Sequence, residues 1–243
     1  MKTFNLNSKY ELTGAQISFA ESVAIIGDFK ESVIYSLMDR IPVFLVDEKT
    51  QEKYGEGDIL GFYQDSGTIL GETIPIIGIC LERILNYASD DEELMFLIAS
   101  VIIHEFAHAK ISAFSRGVYS PRDEFYKWME ESSANFITIN YFENYESDFK
   151  SPHPKKQTKY AHKTYSQTPL AFLKQFVNQQ PDEYKLGLDL FQHKIWFSHI
   201  WASHKADINN RPQEKKDWLQ YVQSNVGKTD KVTLNKLYEA LWK

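Results

Sequence analysis

The stretch that most constrains the fold of this sequence is an apolar run ending in two closely spaced histidines. Residues 94–103 (LMFLIASVII) carry no charge, and HEFAH follows directly as residues 104–108. Such a run is too short to span a bilayer and is typical of a helix in the core of a soluble protein. Polar side chains on a buried helix cost free energy unless a partner satisfies them. His104, Glu105 and His108 therefore require a partner.

The residues before the apolar run predict where this helix begins. Ser89 is followed three residues later by Glu92, which matches a capping box. Residues 90–93 are all acidic, so negative charge lies at the positive end of the helix dipole. We expect the helix to run from about residue 91 to about residue 113.

The remaining periodicity predicts a small sheet followed by helices. Before the apolar helix we expect a helix over 14–39 and then three short strands, at 41–47, 59–64 and 73–81. After it, with no strand beyond residue 82, we expect a helix over 121–144 capped by Ser120, and helices at 169–179, 182–204, 212–224 and 230–242. This order predicts an α+β fold with a small, mostly antiparallel sheet.

The strand predicted at 73–81 fits two positions in such a sheet. Pro75 is tolerated on an edge strand, and Gly78 permits close approach of another backbone. A peptide could then add to this edge by main-chain pairing. An ordinary strand in the core of the sheet explains the same residues equally well.

The histidine pair has the spacing of a metal site. Residues four apart share one face of a helix, so His104 and His108 can bind one ion together. Glu105 can reach a water on that ion without binding the ion itself. Zinc hydrolases use this arrangement, because the ion lowers the pKa of its water and a carboxylate accepts the proton. The alternative is two core histidines that hydrogen-bond to neighbours, with Glu105 as one partner.

A catalytic zinc site needs a third protein ligand and an open position. A metzincin pattern would need Gly and His where this chain has Ile111 and Phe114, so that pattern is excluded. The inverted order H-x-x-E-H is also absent. The remaining form takes a glutamate from the following helix.

That helix contains the sequence WMEESSANFITINYF, with two adjacent glutamates. Glu131, Ala134, Asn135 and Thr138 fall on one stripe, on which Ala134 permits close helix packing. We expect Glu131 to bind the ion and Asn135 to hold a ligand histidine by a hydrogen bond. Glu130 is the rival ligand, and solvation of both glutamates is the further alternative.

The two motifs together resemble a known family. HEFAH followed after 22 residues by ESSAN is similar to the gluzincin zinc metallopeptidases, above all to minimal forms such as the ImmA/IrrE type, whose second motif is Glu-x-x-Ala-Asn. The resemblance covers about residues 40–145. It implies a zincin-like fold and one Zn²⁺ per chain, held by His104, His108 and Glu131, with Glu105 as the general base.

With that resemblance, the chain divides into three predicted regions. Residues 1–147 form the zincin-like metallopeptidase domain, 148–167 a linker or cleft-wall loop, and 168–243 a helical C-terminal region. Zinc peptidases often add a donor that stabilises the developing oxyanion. Candidates are His153, Tyr160, His162 and Tyr126, although surface positions explain them as well.

Charge and composition narrow the partners and the compartment. The net charge is −6, from 27 basic and 33 acidic residues, so no nucleic-acid partner is expected. The N-terminal residues lack the apolar core of a signal peptide, and a single cysteine, Cys80, fits a reducing compartment. We therefore expect a cytoplasmic protein without membrane association.

The sequence predicts a zinc metallopeptidase, most readily an endopeptidase, that acts on a protein or peptide substrate. One alternative is a non-catalytic regulator of the same fold that binds a protein partner through its C-terminal helices. Another is a zinc hydrolase of a non-peptide amide. The intact Glu105 favours an enzyme over the regulator.

Overall fold

A computed structural model of the chain describes residues 1–28, 33–54, 59–69, 72–114, 124–149 and 165–177. A small four-stranded sheet is combined with helices, so the predicted α+β class is confirmed at this level. In chain order the elements of the described residues are β1 (Thr3–Asn5), α1 (Gly14–Gly27), α2 (Ile34–Met38), β2 (Val43–Leu45), α3 (Glu48–Gln51), β3 (Gly61–Ile69), β4 (Glu72–Ile79), α4 (Leu81–Leu85), α5 (Asp91–Phe114), α6 (Glu124–Phe149) and α7 (Pro169–Val177).

The chain forms two compact units. The first comprises Met1–Ser112 and Ile137–Gln175, and it contains the whole sheet, α1 to α4 and nearly all of α5. The second comprises Ala113–Phe136 and Phe176–Lys243. Its described residues are the end of α5, the first half of α6 and the end of α7. The first unit therefore extends beyond the linker predicted over residues 148–167, and the three-region division stays a prediction.

The sheet has the strand order β1-β2-β4-β3. β1 and β2 are parallel, β2 and β4 are parallel, and only β3 and β4 are antiparallel. The prediction of a mostly antiparallel sheet was therefore wrong. Parallel neighbours need a long crossover connection, and α1 and α2 provide one between β1 and β2. β1 itself was missed because it has three residues and no buried position that would mark an alternation.

The third predicted strand, now β4, lies inside the sheet between β2 and β3. An edge position for residues 73–81 is therefore wrong, and among the described strands β1 and β3 are the edges. Pro75 is tolerated inside the sheet because β3 bulges opposite it. Gln64 pairs with Ile76 and Gly67 with Ile74, so two residues of β3 face Pro75 alone. The ring therefore replaces a backbone donor at a point where the ladder is already interrupted.

The two faces of the sheet carry different side chains. The register places the buried residues Val43, Leu45, Ile77 and Ile79 on one face. The other face carries a smaller cluster of buried side chains that comprises Phe44, Val46, Phe62, Ile76 and Cys80. Tyr54 covers part of this cluster by stacking on Phe62, with ring centroids 4.3 Å apart. Both faces are therefore covered, which a sheet with parallel pairs requires.

Helix α5 has the bounds that the sequence predicts, but its cap differs. Oδ1 of Asp90 accepts the backbone N–H of Glu92 at 2.9 Å and of Glu93 at 2.8 Å, so Asp90 is the cap and not Ser89. The Glu93 carboxylate accepts from the hydroxyl and the N–H of Ser89, which lowers the pKa of Glu93. The capping residue of α5 is therefore Asp90, one residue later than the Ser89 of the predicted capping box.

Helix α5 is long and apolar enough to cross a membrane by length and composition. Of its most apolar window, 83% is buried inside the protein. That is the environment of a core helix in a soluble protein, as the run of residues 94–103 predicts.

The single helix predicted over residues 14–39 is two helices. Asp28 ends α1, and its buried carboxylate accepts the N–H of Ile34 at 3.0 Å and of Tyr35 at 2.6 Å at the start of α2. The hydroxyl of Tyr141 in α6 donates to the same carboxylate. The sequence reading missed this break because one donor lies in a distant part of the chain.

The later helices agree with the prediction as far as they are described. α6 continues to Phe149, beyond the predicted end at residue 144, and its predicted cap Ser120 lies outside the described residues. α7 covers most of the helix predicted at 169–179. The helices predicted at 182–204, 212–224 and 230–242 also lie outside the described residues.

We predict that Gly27→Ala destabilises the protein through the contact between α1 and Tyr141. A Cβ at Gly27 would lie 2.0 Å from the Tyr141 ring, and the ring cannot move without disturbing its hydrogen bond to Asp28. We expect a loss of about 1–3 kcal/mol in the free energy of unfolding, measured by urea denaturation. Gly14→Ala is the matched control on the same helix, because nothing lies within 4 Å of its added Cβ. Equal stability of the two variants would contradict this packing.

Candidate metal centre

The two histidines of HEFAH meet on one face of α5. Their Nε2 atoms lie 3.0 Å apart, with ring centroids separated by 4.7 Å. His108 is 7% exposed, Glu105 between them is 5% exposed, and His104 is half-buried. The i, i+4 spacing on a regular helix produces this convergence, as the sequence predicts.

A carboxylate joins the two imidazoles. One ligand atom each from His104, His108 and Glu131 lies within 4.8 Å of the other two, and the described part of the chain holds no other such group of three. Glu130, the rival candidate, is not a member. The three side chains are compatible with a bound metal ion, whose identity the geometry does not determine.

The spacing of these atoms can be compared with that of a zinc site. Ligand atoms bound about 2.0–2.2 Å from a tetrahedral zinc ion lie about 3.3–3.6 Å from one another. The histidine pair at 3.0 Å and the limit of 4.8 Å for the group bracket this spacing. The three residues are therefore compatible with an ion of this size.

A hydrogen bond between the two rings explains the 3.0 Å separation of the Nε2 atoms as well. That bond requires one Nε2 to carry a proton, whereas metal binding requires both nitrogens to be unprotonated. Metal analysis therefore separates the two interpretations of the histidine pair.

Glu105 lies against the backbone of strand β3. A Cβ at Gly61 would lie 2.8 Å from Oε1 of Glu105 and 3.0 Å from Cγ1 of Val101. Four residues along the strand, Oδ1 of Asp65 accepts the hydroxyl of Ser112 at 2.6 Å. The first half of β3 therefore follows the face of α5 that bears Val101, Glu105, His108 and Ser112.

Sequence reasoning missed both contacts of β3. A glycine at the start of a strand indicates close approach of another group, but the sequence does not say of which. The sequence around Asp65 does not indicate its contact with α5, since its partner there, Ser112, lies 47 residues away. Both positions depend on which strand pairs beside α5, which is a property of the whole sheet.

The stripe predicted on α6 has the burial expected of it. Ala134, Asn135 and Thr138 are all buried, and Glu131 and Glu130 are half-buried. The hydrogen bond predicted from Asn135 to a ligand histidine stays a prediction. The alternative in which only water surrounds both glutamates does not fit Glu131, because a carboxylate oxygen of Glu131 lies within 4.8 Å of a ring nitrogen of each histidine.

The remaining candidates lie outside the described residues or outside the site. His153, Tyr160 and His162 belong to the undescribed part of the chain, as does the side chain of Tyr126. Cys80 is fully buried, and its burial raises the pKa of the thiol. A buried thiol with a raised pKa is a poor nucleophile, which agrees with its apolar strand context.

Comparison with known proteins gives no relative: no protein-family model, no curated protein and no solved structure matches the chain.

We predict that Glu131→Ala weakens zinc binding while Glu130→Ala leaves it nearly unchanged. Glu131 contributes a ligand atom to the group and its neighbour does not. The dissociation constant for zinc should rise by more than about a hundredfold. Removing a residue that only hydrogen-bonds to a ligand already weakens metal binding by up to about that factor, and loss of a ligand itself should weaken it further. Competition with a chelator measures the constants, and His108→Ala gives the reference for a lost ligand. If Glu130→Ala loses zinc and Glu131→Ala keeps it, then α6 presents Glu130 to the ion, and the assignment of Glu131 is wrong.

Proposed function

We propose that this protein is a zinc-dependent metallopeptidase, an endopeptidase of the minimal gluzincin type with a zincin-like fold, acting in the cytoplasm. The observation that carries the proposal is the composition of the site: two imidazoles and a carboxylate converge, and Glu105 follows the first of these histidines in the sequence. The resemblance of HEFAH and ESSAN to the gluzincin motifs supports it. The core-helix environment of α5 supports a soluble enzyme.

The donor set favours zinc. Two imidazole nitrogens and one carboxylate oxygen are common ligands of catalytic zinc and leave the fourth position open. When bound, the ion supplies Lewis acidity, which lowers the pKa of a water and polarises a carbonyl oxygen. His104, His108 and Glu131 would hold it. Glu105 follows His104 directly and is not a member of the ligand group, so we assign it to proton transfer and not to metal binding.

Glu105 is proposed as the general base and then the general acid. Its carboxylate accepts a proton from the attacking water as the water oxygen bonds to the scissile carbonyl carbon. The same proton passes to the amide nitrogen as the carbon–nitrogen bond breaks, which gives a carboxylic acid and an amine. β3 lies against Glu105 and is expected to restrict the motion of its carboxylate.

The position of β3 favours a peptide substrate over a small amide. This strand is an edge of the sheet among the described strands, and its first half follows the face of α5 that bears Glu105 and His108. An extended peptide can add to such an edge by main-chain hydrogen bonds. The peptide would then pass directly beside the metal ligands.

A regulator without activity is the weaker alternative. Such a protein would gain nothing from Glu105, because a carboxylate that is 5% exposed costs more to bury than an apolar side chain. Retention of a buried carboxylate next to a metal ligand therefore favours catalysis.

We predict that Glu105→Gln keeps zinc and loses turnover. Glutamine preserves the shape of the side chain but cannot accept the proton from water, so kcat should fall by at least about a hundredfold. Zinc stoichiometry by atomic emission should stay at that of the wild type. Glu143→Gln makes the same chemical change at an exposed position of α6 and is the control. An active Glu105→Gln enzyme with bound zinc would remove Glu105 from the mechanism.

We predict that Gly61→Ala also lowers kcat without releasing zinc. The added methyl group would lie 2.8 Å from Oε1 of Glu105, so the carboxylate must move from its present position against β3. A displacement of about 1 Å costs up to about a hundredfold in rate. Gly14→Ala, which meets no neighbour within 4 Å, should keep wild-type kinetics. Wild-type kcat in Gly61→Ala would show that β3 does not position Glu105.

A further inference from the structure

Strand β3 presents a carboxylate whose orientation is fixed by hydrogen bonds to two hydroxyl groups. Oδ1 of Asp65 accepts the Ser112 hydroxyl at 2.6 Å and also accepts the hydroxyl of Tyr63, two residues earlier on the strand. One donor comes from α5 and the other from β3, so the carboxylate is held between the two elements. Asp65 nevertheless remains exposed to solvent.

The hydroxyl groups orient this carboxylate but do not neutralise it. Both donors are uncharged, and in the part of the chain that the structure describes no lysine, arginine or histidine pairs with Asp65. A carboxylate oxygen can accept further hydrogen bonds, and bonds from a cationic donor are about twice as strong as neutral ones. The Asp65 carboxylate can therefore still bind a cation. That cation has to come from outside the described residues, for example from a substrate.

Asp65 lies close to the metal ligands along α5. Its partner Ser112 follows His108 by four residues, which places the two on one helix face, about 6 Å apart along the axis. The carboxylate is thus about one helical turn from the metal ligand. That distance is comparable to one or two residues of an extended peptide.

The bulge of β3 lies at the same position. Asp65 and Ser66 together face Pro75, so the regular pairing of β3 stops at Gln64 and resumes at Gly67. Bulges redirect side chains next to functional sites. The bulge interrupts the ladder between β3 and β4, and a peptide paired with Gly61–Gln64 on the other edge of β3 would come next to Asp65. A side-chain interaction with the carboxylate can then add to the main-chain bonds.

We propose that Asp65 selects peptide substrates that carry a lysine or arginine within one or two residues of the scissile bond. The inference rests on the proposed peptidase function and adds the chemical class of the substrate side chain. The ammonium or guanidinium group binds the carboxylate that Tyr63 and Ser112 orient. The net charge of −6 also favours the approach of cationic peptides.

The test uses a peptide series that differs at one position at a time, with lysine, glutamine or glutamate on either side of the cleavage point. Wild type should prefer lysine over glutamate at one position by about fivefold or more in kcat/KM, the scale of an exposed charge pair. Asp65→Asn should abolish that preference. Asp65→Lys should reverse it, and high salt should weaken it.

Asp39→Asn is the matched control. It makes the same change at an exposed aspartate that lies near the amino group of Met1, just before β1, at the other edge of the sheet. Its preference should equal that of wild type. A lysine preference that survives in Asp65→Asn, or its absence at every position in wild type, would overturn the proposal.

A binding assay separates this inference from the proposed function. Zinc-loaded Glu105→Gln is titrated with the same fluorescent peptides, with and without Asp65→Asn. If no peptide is hydrolysed by wild type but the lysine peptide binds more weakly after Asp65→Asn, the peptidase function fails and the role of Asp65 holds. If the wild-type enzyme hydrolyses peptides and Asp65→Asn leaves lysine-peptide binding and cleavage unchanged, the peptidase function holds and the role of Asp65 fails.

Discussion

The structure depends on the burial of α5 together with the polar side chains that it carries. Most of this helix is enclosed by protein, yet His104, Glu105 and His108 lie within it. Each would oppose burial if it were isolated, because an uncompensated polar group costs free energy in an apolar environment. The surroundings are arranged to meet this constraint: a carboxylate of α6 lies beside the imidazoles, and a glycine of β3 leaves room for Glu105.

The features that could be predicted from the sequence are those that depend on residues close together along the chain. The bounds of α5, the convergence of its two histidines and the apolar runs of β2 and β4 follow from residues that are neighbours along the chain. The preference for Glu131 over Glu130 rests on helical phase, which needs only the number of residues per turn. The grouping of Glu131 with the two histidines is compatible with that preference, which stays a prediction until zinc binding is measured.

The missed features depend on partners distant in sequence. Asp28 divides one predicted helix into two, and a donor to its carboxylate lies 113 residues away in Tyr141. Strand order was missed because β1 is short and exposed, and because pairing is not encoded in any single strand. The contacts of Gly61 and Asp65 with α5 follow from that strand order, so they could not be predicted before it.

The bulge of β3 also bears on how a second copy of the chain could meet this edge of the sheet. A long, regular edge strand offers a continuous row of backbone donors and acceptors, with which the edge of another copy can pair. In β3 the ladder with β4 is interrupted at Asp65 and Ser66, and the exposed side chain of Asp65 lies there. Bulges and charged side chains on an edge strand both disfavour such pairing. The bulge that accommodates Pro75 therefore also disfavours the extended edge-to-edge pairing that begins aggregation.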